Sequence, residues 1–175
     1  MLQERQFLRS MFDAAVAAAT PQNCMRAWTP SRPSGRVIVV GAGKAAASMA
    51  RELEELWAVP LEGRVIVPYG YGSSCRSIEV IEASHPVPDK AGVSAAAVVL
   101  DSVSDLSADD TVACLFSGGG SSLLCLPEAG VALAEKQDIT HQLLHCGAAI
   151  HEINCVRKKL SAIKGGKLAA ACLPA

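Results

Sequence analysis

The stretch "GRVIVVGAGKAAASMARELEELW" (35–57) decides the fold. Val37, Ile38, Val39 and Val40 form a continuous β-branched run, the pattern of a strand buried on both faces. Gly41-Ala42-Gly43 then turns the chain, and Ala46, Met49, Leu53 and Leu56 recur at helical spacing between charged residues. A strand, a glycine turn and a helix in that order begin a parallel sheet.

The pattern continues outward. "GRVIVP" (63–68), "SIEVIEA" (77–83) and "DTVACLFSG" (110–118) read as further strands, and "PDKAGVSAAAVVLDSVS" (88–104) as a helix. The expected fold is α/β: a Rossmann-like three-layer sandwich around a mostly parallel sheet, over residues 21–175. Residues 1–20 carry Phe7, Leu8, Met11, Phe12, Ala15 and Val16 at helical spacing, so they read as a packed amphipathic helix. The proline-rich "TPQNCMRAWTPSRPSG" (20–35) separates it from the rest. The tail "KKLSAIKGGKLAAACLPA" (158–175) stops where another strand is expected.

Composition narrows the function. Half of the 175 residues are hydrophobic and 19% are charged, which excludes a disordered chain. The 16 Lys+Arg balance 17 Asp+Glu, leaving no electrostatic footprint for nucleic acid or an anionic membrane. No apolar run approaches the roughly 20 residues of a membrane span, and a cytoplasmic protein is expected. Seven scattered cysteines without a C-x-x-C pattern point to reduced, mostly buried thiols and no zinc site.

Ligands of such sheets gather at the carboxyl ends of the strands, where two glycine loops fall. The first runs from Gly41 through Gly43 and Lys44 to Ala46 and matches G-x-G-x-x-A. A dinucleotide site also needs an acidic residue at the end of the next strand, but that strand ends Val67-Pro68, and Glu62 precedes it. The alternatives left are an anion-binding turn with Lys44 beside it and a plain turn with a solvated lysine. The second loop, Ser117-Gly118-Gly119-Gly120-Ser121-Ser122, is not the G-x-S-x-G of an acyl-transfer serine. Its glycines open backbone N–H groups to an anion, so a phosphate cradle is the preferred reading.

A third element, "NCVRKKLSAIKGGK" (154–167), spaces Asn154, Arg157, Ser161 and Lys164 along one face if helical, with Val156, Leu160 and Ile163 opposite and Gly165 closing the row. Cations on one stripe suit a multiply charged phosphate. His141 and His145 stand i, i+4 without the glutamate of a zinc helix and are expected to flank a stripe of Ile139, Leu143, Cys146 and Ile150. The loop from His85 to Asp89 could face the same cleft, but its chemistry is not legible.

"VVGAGKAA", "EASHPVPDKAG", "LFSGGGSSLL" and "INCVRKKLSAIKGGKLA", in this order, resemble the N-terminal domain of the glycerate 2-kinase family. Its members continue into a C-terminal MOFRL domain, and some are named hydroxypyruvate reductase. The resemblance implies Mg²⁺-assisted transfer of the ATP γ-phosphate to D-glycerate in a cleft between two α/β domains. It implies a functional role for Lys44 and places the 117–121 loop and the 154–166 segment along that cleft. Lys159 stands where relatives often have histidine. The MOFRL-type part, with its further catalytic groups, is not in these 175 residues, so the chain alone is expected to be inactive. A small-molecule substrate is the expected partner, and a homodimer is allowed for. Two other functions stay open: an NAD(P)-dependent hydroxypyruvate reductase and a non-catalytic nucleotide- or anion-binding fragment.

Overall fold

The computed structural model describes residues 2–28, 30–31, 33, 35–58 and 61–175. Helices α1 (Leu2–Ala18) and α2 (Pro21–Trp28) precede β1 (Val37–Ala42), α3 (Ala46–Trp57) and β2 (Glu62–Pro68). Then follow β3 (Glu79–Ala83), α4 (Lys90–Asp101), β4 (Thr111–Phe116), α5 (Gly120–Leu123), α6 (Leu133–His145), α7 (Ile150–Lys159) and α8 (Lys167–Ala171). The four strands form one sheet in the order β3-β2-β1-β4, and every pairing is parallel.

β1 is buried along its whole length, as its β-branched run requires. Alternation sends Val37 and Val39 to one face, against Ala46, Ala47, Ala50 and Leu53 of α3. Ile38, Val40 and Ala42 point to the other face, against Ala95, Ala96 and Val99 of α4. β2 divides likewise, with Val65 and Val67 on the first face and Ile66 on the second. The three layers are therefore those expected. Met49 and Leu56 are only half-buried, and Ala47, Ala50 and Glu54 take the covered positions instead.

Three expectations need correction. α1 is helical, but its apolar stripe is not packed: Phe7, Leu8, Met11, Phe12 and Val16 are 48–67% exposed. Helix propensity of the Ala-rich segment suffices to set its backbone, and none of the described residues covers the stripe. The seven cysteines are free, yet only Cys125 is fully buried. The stripe flanked by the histidines is half-buried at Ile139 and Leu143 and exposed at Cys146 and Ile150. Among the described residues no group of His, Cys, Asp or Glu could hold a metal, and no helix is long and apolar enough to cross a membrane.

Candidate functional site

The register opposes Ala42 to Phe116 and to Ile66, and Ala83 to Pro68, so the loops after β1, β3 and β4 leave from one end of the sheet. The first and third interlock. The Lys44 N–H donates to the Gly118 carbonyl (2.9 Å), the Ser117 N–H to the Ala42 carbonyl (3.1 Å), and the Ala45 N–H to Ser117 Oγ (2.9 Å). The Ser117 hydroxyl is thus occupied in joining two loops. Contact this close needs glycine: a Cβ on Gly43 would stand 2.2 Å from Ser117 Oγ, and one on Gly120 would stand 2.4 Å from the Ala42 carbonyl oxygen. A Cβ on Gly41 would likewise stand 2.3 Å from the Leu115 carbonyl oxygen.

The loop after β3 joins them through His85. A Cβ on Gly119, whose φ is +89°, would meet His85 Nε2 at 2.8 Å, so the imidazole lies directly over the glycine loop. The chemistry of this histidine has no signature in the sequence; only the parallel register brings it here.

Facing the glycine loop is the segment after α6. Arg157, on α7, donates to the Ser121 carbonyl and Ser122 Oγ at 3.3 Å and to Asn154 Oδ1 at 3.4 Å. These are long bonds, leaving donor capacity for another acceptor. The Lys164 ammonium donates to the Leu124 carbonyl, and burial pushes its pKa down to about 8. Burial also lowers that of Arg157. Among the described residues neither cation pairs with a carboxylate.

Ser117, Gly120, Ser121, Asn154, Arg157, Lys164 and Gly165 line one cavity of about 390 Å³. Most of the residues expected to bind ligand therefore come together. The helical row does not. α7 ends at Lys159, because the chain pairs instead with residues 126–128: Ala162 N–H donates to the Leu126 carbonyl and Glu128 N–H to that of Leu160. Ser161 bridges to Pro127, is fully buried, and spends its hydroxyl on the Leu126 carbonyl and the N–H groups of Ile163 and Lys164. It is a turn residue and does not face the cavity. Of the supposed apolar stripe, Ile163 is buried and Val156 is exposed. Lys164 reaches the cavity from the turn that follows. Lys44 is exposed, does not line this cavity, and its ammonium has no bonding partner among the described residues.

The family described as "Domain of unknown function (DUF4147)" matches residues 7–175. The chain is 42% identical over 163 residues to the D-glycerate 2-kinase of Thermotoga maritima, covering 92% of this chain and 39% of that protein. A glycerate 2-kinase of Pyrococcus horikoshii is 46% identical over 135 residues, covering 77% and 30%. A protein of Agrobacterium vitis that bears the provisional name hydroxypyruvate reductase is 50% identical over 172 residues, covering 98% and 39%. The solved structure of a glycerate kinase from Thermotoga maritima superposes with a TM-score of 0.88 at 37% identity, over 99% of this chain and 42% of that one. The chain spans about two fifths of the length of such relatives. With nearly the whole chain matched in both sequence and fold, it belongs to the DUF4147 family, the N-terminal domain of the glycerate kinases.

Proposed function

We propose that this chain forms one wall of the active site of a kinase that transfers the ATP γ-phosphate to D-glycerate. The observation that carries this reading is a cavity in which two cations without carboxylate partners, Arg157 and Lys164, face a glycine loop with open backbone. Gly118 stands outside the cavity lining but in the same loop, and a Cβ there would meet nothing within 4 Å beyond its chain neighbours, so a phosphate can approach that backbone. The nucleotide, when bound, supplies the phosphoryl group. Phosphoryl transfer needs alignment and charge stabilisation more than covalent chemistry from the protein. Arg157 can offer two parallel donors to anionic oxygens, and Lys164 a point charge beside them. Lys44, at the mouth of the interlocked loops, has a free ammonium on a flexible stem that can follow developing charge.

Mg²⁺ finds no cage of His, Cys, Asp or Glu side chains among the described residues. The residues favour a kinase over a reductase. β2 ends without an acidic residue, and Glu62 opposes Ile38 at the far end of the sheet, out of reach of a ribose at the glycine turn. The test is a coupled assay of ADP formation, on a protein carrying this chain within the full length of its relatives. D-glycerate should drive ADP release; NADH oxidation with hydroxypyruvate as the sole activity would establish the reductase instead.

A further inference from the structure

Behind the cavity, and sharing Ser121, Arg157 and Lys164 with it, lies a narrow recess of about 20 Å³, room for one water-sized group. Pro86 and Pro88 before α4, Thr140 on α6, and Cys125 close it. Lys136 of α6 enters from the inside and is only 7% exposed. Its ammonium donates to the Leu160 carbonyl and has two further N–H donors. Lys136, Arg157 and Lys164 thus converge on one small space without a carboxylate among them.

The nearby carboxylates are committed elsewhere. Glu128 pairs with Lys167, and Asp89 accepts from the Tyr69 hydroxyl and the Gly92 N–H. Cys125 supplies no negative charge, since burial raises its thiol pKa and keeps the proton on. Burying cations without a counter-charge is strongly unfavourable, and a bound anion removes that cost.

We infer that this recess receives the carboxylate of a small hydroxy acid, with Lys136 as its innermost cation; the substrate class rests on the kinase reading above. At water size the recess admits one carboxylate oxygen beside Lys136, and the rest of the acid lies toward the larger cavity in front. The two spaces share Arg157 and Lys164, so an acid anchored inside projects its hydroxyls outward, toward the glycine loop. Lys136 then sets specificity for acids over neutral polyols. A purely structural Lys136 would only cap the end of α7 through Leu160, and acid and polyol would bind alike.

D-glycerate and glycerol, which share a carbon skeleton, distinguish the two roles when titrated into the 175-residue chain and followed by NMR. D-glycerate should shift the signals of Lys136, Cys125 and Thr140, and glycerol should leave them in place. Lys136→Gln should weaken D-glycerate binding at least about tenfold, as for loss of a charged hydrogen bond. Lys159→Gln, on an exposed side chain outside the recess, should not. The wild-type titration stands even if Lys136→Gln fails to fold. Recess signals that D-glycerate leaves unmoved, or that glycerol moves equally, overturn the inference. D-glycerate bound in the recess while the full-length protein forms no ADP from it would sink the kinase reading alone, and ADP formation by the full-length protein with an unmoved recess would sink the inference alone.

Discussion

Gly118 and Gly120 stand two residues apart in one loop, and alanine should affect them in opposite ways. At Gly120 a Cβ would lie 2.4 Å from a backbone oxygen of β1, so Gly120→Ala must push the two loops apart. A stability loss of about 1–3 kcal/mol is expected for such overpacking, read as a fall in the denaturant midpoint. At Gly118 a Cβ would meet nothing within 4 Å. Gly118→Ala should therefore keep the melting temperature while weakening nucleotide binding, because only a ligand at the backbone would collide with the methyl. Unchanged binding would show that no phosphate approaches there. Lys44→Met belongs beside them: the side chain is exposed, so the melting temperature should hold. In the active full-length protein kcat should fall about 100-fold, as when an electrostatic stabiliser is lost. All three residues are visible as motif letters, but only the packing separates the crowded glycine from the open one.

Single carboxylates hold the elements together. The buried carboxylate of Glu54 on α3 accepts N–H donors from Arg76, Ser77 and Ile78, pinning the approach to β3. Burial alone would raise its pKa, yet these bonds outweigh burial and hold it below the usual range. Glu54→Ala should cost about 1–3 kcal/mol, because buried donors lose their acceptor, and chemical denaturation would measure it. Asp110, just before β4, accepts from Arg36 just before β1 and from Ser107. Arg36 first, then the Ser107 N–H, bring its pKa down to about 2. A depressed folded pKa gives stability above the unfolded value, about 3.9 for an aspartate. That part of the stability should be lost as pH falls from about 4 to about 2, and Asp110→Asn should flatten the pH dependence in this window. The strands themselves were legible from residue types, and α3 from its spacing. The end of α7 was not: the cross-chain bonds of residues 160–162 to 126–128 outcompete continued helix, and no local pattern announces them.

At the scale of the whole molecule, the proposed kinase reading makes this site one wall of a cleft. Its loops, cations and cavity lie at one end of a four-stranded sheet, and the chain spans about two fifths of the length of its relatives. The 175-residue chain by itself should show no ATP- and glycerate-dependent turnover, since one wall cannot hold both reactants in line. Purified chain turning over at about 1 s⁻¹, an ordinary enzyme rate, would refute this. The sequence by itself determined the parallel α/β sheet, the glycine loops at its strand ends and the resemblance to glycerate kinases. Those features are written in contiguous residues: β-branched runs, helical spacing and glycines each constrain their own backbone. Only the tertiary structure decided that Ser161 is a turn residue, that His85 lies over Gly119, that the apolar stripe of α1 is uncovered, and that Lys136 meets Arg157 and Lys164. Each of these depends on segments tens of residues apart closing on one another, and burial and hydrogen bonding there are fixed by the partner rather than by the residue's neighbours in sequence.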